Sequence, residues 1–270
     1  MNTSSNNETV KRKPLTDEDL DTVVGGHGML EFTETVGTNG DDVLQGGGEN
    51  NDIRGLDGDD VITGNNGADY IHGGNDDDVI NGQGGNDFLV GGDGDDVING
   101  GEGNDFIYGD EAWGIGTEGG DDVINGGAGN DMINGGAGAD AIEGGEGNDT
   151  ITGGMNDGTD DVAYGGEGDD SYVWMISGGG NDVFEGGTGN DTVIVHNPEG
   201  SLGSLQTAYD SGLVSLQLVD DQGQPITITS DMWDQNGNLS FSSDVSGVLS
   251  NANGDTLTFS EVQSITVAFY

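Results

Sequence analysis

Cysteine is absent from this chain of 270 residues, so it has neither disulfide staples nor thiolate chemistry. Basic residues are nearly as scarce. Lys11, Arg12, Lys13 and Arg54 stand against 52 acidic residues, and the formal charge is -48. A polyanion of this density excludes nucleic acid as a partner and disfavours an anionic membrane surface. Proline occurs three times, and apolar residues make up 31% of the chain, too little for a large conventional core. No apolar run is long enough for a membrane-spanning helix or the core of a Sec signal. Gly-x-Ser-x-Gly and His-Glu-x-x-His are both missing, and His72 and His196 have no Cys or His partner at ligand spacing. These absences point away from an enzyme and leave the two histidines as surface or core residues. They leave two classes, an acidic disordered chain or a scaffold that needs a divalent cation.

What the chain has is glycine, 56 residues of it, in strict register. From Gly37 to Val195 the pattern Gly-Gly-x-Gly-x-Asp-x-(aliphatic)-x recurs every nine residues, with Gly91 to Asn99 and Gly100 to Tyr108 as adjacent full copies. The sixth position reads Asp42, Asp52, Asp60, Asp69, Asp78, Asp87, Asp96, Asp105, Asp122, Asp131, Asp140, Asp149, Asp161, Asp170, Asp182 and Asp191. A disordered Gly/Asn/Asp tract would show biased composition without phase. Glycine in the first, second and fourth positions allows a tight turn that aims carbonyl oxygens at an ion, and the sixth-position Asp adds a carboxylate. The x-aliphatic-x that follows is a short strand with its central residue inward: Leu44, Ile62, Ile71, Ile80, Leu89, Ile98, Ile107, Ile124, Ile133, Ile142, Ile151 and Val193, with Tyr172 and Phe184 late.

These residues resemble the RTX family of calcium-binding nonapeptide repeats. The resemblance implies an all-β chain with a right-handed parallel β-roll over 37–196, two nonapeptides to each turn and calcium between the loops of successive turns along both edges. It implies metal ligands at Asp42, Asp60, Asp69, Asp78, Asp87, Asp96, Asp105, Asp122, Asp131, Asp140, Asp149, Asp161, Asp170, Asp182 and Asp191. At the strand spacing of a sheet the rod is on the order of 40 Å long. Its core is thin, so calcium binding and folding are expected as one event.

Three places break the pattern. In the second copy Arg54 is expected at the inward position, Asn50 replaces the fourth glycine and Gly46 is extra, which predicts a weak first turn. Asp122 follows Asp105 by 17 residues, so 109–118, with Trp113 and Ile115, bulges as a self-packed loop or a contact site. Shorter insertions fall near Met155-Asn156-Asp157 and Trp174-Met175-Ile176. The seventh position is often apolar: Val61, Val79 and Val97 line one sheet, and Tyr70, Phe88 and Phe106 form an outward ladder on the other, either from strand propensity alone or as a contact face.

Ahead of the repeats, Leu15, Thr16, Asp19-Leu20, Val23 and Gly25-Gly26 resemble the double-glycine leader cut by peptidase-containing ABC exporters, with Asp19 where the family has Glu. The alternative is a frayed helix ended by glycine. The leader resemblance implies a disordered or short-helical segment 1–26 cleaved after Gly26, a linker 27–36, and an exporter as partner. After Val195 glycine thins. Leu213 to Val219, Ile226 to Thr229, Leu239 to Phe241 and Asn253 to Tyr270 alternate as strands, with Asn236-Gly237 as a hairpin turn. Residues 197–270 are similar to the antiparallel β cap that closes RTX rolls, and also to an uncleaved type I secretion signal. The expected protein is secreted to the bacterial surface or matrix, structural or adhesive, and able to associate end to end into a homo-oligomer or filament. The reading from a different class is a secreted, bacteriocin-like effector with its activity in the C-terminal segment.

Overall fold

The computed structural model describes residues 32–111, 119–154, 158–175, 179–196 and 204–268. The proposed leader with Gly25 and Gly26, Trp113 and Ile115 of the 109–118 insertion, Met155-Asn156-Asp157 and Ile176 lie outside them.

Strands alternate between two sheets along the chain. The first are β1 (Thr33–Val36), β2 (Val43–Gln45), β3 (Asn51–Asp57), β4 (Val61–Asn66), β5 (Tyr70–Asn75) and β6 (Val79–Gly84). Then come β7 (Phe88–Asp93), β8 (Val97–Glu102), β9 (Phe106–Tyr108), β10 (Val123–Ala128), β11 (Met132–Asn134) and β12 (Ala141–Glu146). The roll ends with β13 (Thr150–Thr152), β14 (Val162–Glu167), β15 (Ser171–Met175), β16 (Asn181–Thr188) and β17 (Thr192–His196). Each strand pairs in parallel with the strand two places on, so odd strands make one sheet and even strands the other. The result is an all-β parallel solenoid of about eight turns.

Inward residues stack on their own copies between the sheets. Ile62, Ile71, Ile98, Ile107, Ile124, Ile142 and Ile151 are fully buried, and so are Ala163, Tyr172, Phe184 and Val193. β-branched isoleucine suits this position because its stiff side chain packs on the pleated surface. Tyr172 stacks on Phe184 with ring centroids 5.1 Å apart, filling the wider last turns together with buried Trp174.

The second copy is read differently by the structure. Ile53, with no exposed surface, is its inward residue and pairs with Ile71. Arg54 points outward, 2.8 Å from the Asp52 carboxylate. Asn51, not Asp52, therefore holds the sixth position, nine residues after Asp42, and Gly46 is the ordinary first glycine. An isoleucine satisfies the core where a guanidinium would need a buried partner, which shifts the register by one. Thr33–Val36, expected as linker, also belongs to the roll, paired with β3.

At the far end a short helix, α1 (Leu205–Asp210), is capped by Ser204, whose hydroxyl accepts the Thr207 N–H at 3.1 Å. It precedes β18 (Val214–Asp220), β19 (Pro225–Ile226), β20 (Leu239–Asn251) and β21 (Thr256–Ala268). β20 pairs antiparallel with β18 on one side and with β21 on the other. β21 also pairs in parallel with both sheets, Thr256–Ser260 on β16 and Ser264–Ala268 on β17. Glu261, at φ 56°, lies between these two stretches. The last strand is thus a turn of the roll made without a glycine loop, and the C-terminal end is closed rather than open.

Candidate metal centre

Every sixth-position side chain sits where one loop passes under the next. Along the first edge the N–H of Asp42 donates to Asp60 Oδ1, and the chain continues through Asp78, Asp96, Asp122, Asp140, Asp161 and Asp182 at 2.7–3.2 Å. Along the second edge the same ladder runs from Asn51 through Asp69, Asp87, Asp105, Asp131, Asp149 and Asp170 to Asp191 at 2.7–2.9 Å. All fifteen aspartates expected from the sequence fall on these two inner rails. The insertion at 109–118 leaves the register intact, since Asp96 meets Asp122 and Asp105 meets Asp131 across it.

One carboxylate oxygen is used by each ladder bond; the other is not. Oδ2 of Asp60, Asp69, Asp78, Asp87, Asp96, Asp105, Asp122, Asp131, Asp149, Asp170 and Asp191 has no hydrogen-bond partner, and these side chains are at most 3% exposed. A buried carboxylate oxygen without a donor or cation carries a penalty of several kcal/mol. Burial accordingly raises the carboxyl pKa to about 6 for Asp105, Asp131, Asp149, Asp170 and Asp191. It raises Asp78 to about 7, Asp87 and Asp96 to about 8, and Asp122 to about 9. The ladder N–H opposes burial in each case, while neighbouring acids on most of these groups add to it.

The orphan oxygens fit a cation. A Cβ on Gly73 would lie 2.1 Å from Asp78 Oδ2 and 2.7 Å from the Gly91 carbonyl oxygen of the next turn. Gly82 relates to Asp87 and Gly100, and Gly91 to Asp96 and Gly109, in the same way. Carboxylate and backbone carbonyl oxygens crowd one point where only a glycine fits. This all-oxygen, acceptor-only donor set suits calcium. Among the described residues no three His, Cys, Asp or Glu side chains form a metal-binding group, so a bound ion would draw on backbone carbonyls for most of its shell.

The rails end in neutral groups that sequence reasoning did not pick out. Thr38 donates its N–H and hydroxyl to Asp42 Oδ2 at 2.6 and 2.8 Å. Asn51 begins the second edge, its amide donating to Asp69 Oδ1 at 2.7 Å. Gln263 in β21 accepts the Asp191 N–H, closing that rail with an amide from the cap. Asp110, at the start of the 109–118 insertion, accepts the Ala137 N–H and raises the carboxyl pKa of both Asp96 and Asp122. Its signal was legible, since it follows a first-position glycine.

On the outer face, Tyr70 stacks on Phe88 at 5.5 Å as expected, but the next ring against Phe88 is Tyr108, at 5.6 Å, rather than Phe106. His72 contacts Glu111 at 3.3 Å. No helix among the described residues is long and apolar enough to cross a membrane.

The family model of the RTX calcium-binding nonapeptide repeat matches residues 36–71, 45–80, 54–89, 81–111, 117–151, 157–173 and 174–194, together more than half of the chain. No curated protein matches it.

Proposed function

We propose, for a chain that belongs to the RTX calcium-binding nonapeptide-repeat family, a secreted module that folds on calcium outside the cell and serves as a structural or adhesive component of the bacterial surface or matrix. One observation carries the calcium reading: two files of carboxylates, eleven of them buried with an unpartnered Oδ2, as at Asp60, Asp78, Asp87 and Asp96, where it faces a glycine cradle. Calcium removes the charge penalty at each turn, and without it the thin core of stacked isoleucines is too small to hold the roll. Low intracellular calcium would keep the chain unfolded for export, with the Gly25-Gly26 leader as its address and a peptidase-containing ABC exporter as its route. The outward rows of Val61, Val79, Val97 and Val123 are exposed and flat, which supports a contact role over catalysis. Self-association falls to the first turn, because β21 covers the other end.

Circular dichroism and calcium counting on the cleaved protein test the first part. Millimolar calcium should produce β signal that EDTA abolishes, with several ions bound per chain. Retained β structure in EDTA at neutral pH would refute calcium-coupled folding. Electron microscopy in calcium separates assembly from a monomeric module, and the intact mass of secreted material decides whether cleavage follows Gly26.

The effector reading has one observation in its favour. A cavity of about 650 Å³ opens between the cap and the last turns, lined by Phe184, Leu218, Ile226, Val248 and Phe259 with Gln217 among its polar groups. Toxicity retained by a protein with this cavity filled, as in Val248→Phe, would remove that support.

A further inference from the structure

The two edges of the roll differ in the residue that precedes each rail aspartate. On the first edge the fifth position is Asp41, Asp59, Asp77, Asp95 and Asp121 in five successive turns. On the second edge the corresponding residues are Asn50, Ala68, Asn86, Asn104 and Asn130, followed by Asn148, none of them charged. The aspartates, Asn86, Asn104, Asn130 and Asn148 are exposed, and both kinds make the same bond. Asp59 Oδ1 accepts the Asp77 N–H, and Asp77 and Asp95 accept those of Asp95 and Asp121, at 2.8–3.4 Å. Asn86, Asn104 and Asn130 accept those of Asn104, Asn130 and Asn148 at 2.7–3.0 Å. An amide therefore does the structural work as well as a carboxylate. The charge on the first edge is not needed to hold the loops together.

That outer row lies beside the buried, unpartnered Oδ2 atoms of Asp60, Asp78, Asp96 and Asp122, which are 1% exposed. Each outer carboxylate is the chain neighbour of a rail carboxylate: Asp59, Asp77, Asp95 and Asp121 immediately precede Asp60, Asp78, Asp96 and Asp122, whereas Asn86, Asn104 and Asn130 precede Asp87, Asp105 and Asp131. A calcium ion bound at a turn would face two carboxylates per turn on the first edge and one on the second. Calcium affinity in oxygen sites rises with the number of ligand charges, and unscreened neighbours within a Debye length add to it.

We propose that the two edges are unequal calcium sites: the first edge, with its double row of carboxylates, takes calcium at lower concentration and orders the turns on which the asparagine-bearing second edge then fills. This rests on the calcium reading above. It goes beyond that reading in assigning affinity to five exposed residues that make no buried contact.

Three full-length variants test it. Asp59→Asn, Asp77→Asn and Asp95→Asn together keep every acceptor and convert the first edge to the second. Asn86→Asp, Asn104→Asp and Asn130→Asp do the reverse. Glu34→Gln, Glu143→Gln and Glu185→Gln remove the same charge from exposed positions off the rails. The Asp→Asn set should raise the calcium midpoint of the dichroism transition about tenfold, the Asn→Asp set should lower it, and the Glu→Gln set should move it less than about twofold. In the wild type, amide exchange followed by NMR at sub-saturating calcium should protect the N–H groups of Asp77 and Asp95 before those of Asn104 and Asn130. Equal shifts for the Asp→Asn and Glu→Gln sets, or simultaneous protection of both edges, would overturn the proposal while leaving calcium-coupled folding intact. A wild type that binds no calcium would overturn the calcium reading itself.

Discussion

A sixth-position aspartate does two jobs with two oxygens. Oδ1 ties successive turns through the N–H of the turn before, and Oδ2 waits, buried, for a cation. Asn51 starts the second rail without a charge: its N–H and side-chain amide donate to Asp69 Oδ1, while its own Oδ1 accepts only the nearby Gly47 N–H. Asn51→Asp should therefore add about one calcium ion per chain at saturation, counted by mass spectrometry of the native protein. An unchanged count would mean that the first turn is not a site at all. The second position makes a separate demand. It is a glycine at φ 137° in Gly74 and 130° in Gly92, yet Leu56, aligned with Gly74, holds φ 97°. A branched side chain in that region costs on the order of 1 kcal/mol or more. Leu56→Gly should lower the calcium midpoint, and a raised midpoint would mean that the Leu56 side chain contributes more than its backbone strain costs.

The elements were legible to different degrees, for reasons that trace to particular residues. Strands β4 to β13 followed from phase alone, because each carries a buried Ile or Leu in the eighth position. The second copy misled because Asp52 and Arg54 imitate the motif one residue late; the buried Ile53 decides the register, and burial is what a motif count does not weigh. Helix α1 went unread because six residues and a lone Ser204 cap are a weak signal beside alternating strands. β21 was read as one strand of an antiparallel cap, but its parallel pairing to β16 and β17 depends on a bend at Glu261, a residue no turn rule marks. The ladder itself was readable, while its neutral terminators Thr38 and Gln263 were not, because their partners are fixed by the fold. The closure by β21 is testable through Phe259, which is 1% exposed and pairs with Phe184. Phe259→Ala should cost about 3–5 kcal/mol. Hydrogen exchange should show the loss confined to β16, β17 and the cap; uniform loss along the roll would mean that the solenoid unfolds as a single cooperative unit rather than repeat by repeat.

At the scale of the whole molecule, charge governs when the roll exists. The rail carboxyls are raised in the folded chain, from an ordinary value near 3.8 to about 6 for Asp105, Asp131 and Asp149, and to about 8 for Asp87 and Asp96. Between those limits the folded state holds more protons than the unfolded one. Stability of the calcium-free roll therefore falls as pH rises through this window, and it is greatest below the unfolded value. This is the reverse of a salt-bridged carboxylate, and it follows from burial without a partner. Protons and calcium neutralise the same groups, so acid should partly replace the metal. In EDTA, moving from pH 8 to pH 5 should restore a substantial part of the β signal that calcium restores at pH 8. Light scattering taken alongside should show the chain still monomeric. With calcium saturating, the same pH change should leave the signal nearly level, because the ions already hold the rails neutral. A calcium-free chain equally unfolded at pH 8 and pH 5 would mean that backbone carbonyls bridged by the ion, and not the relief of buried charge, hold the turns together.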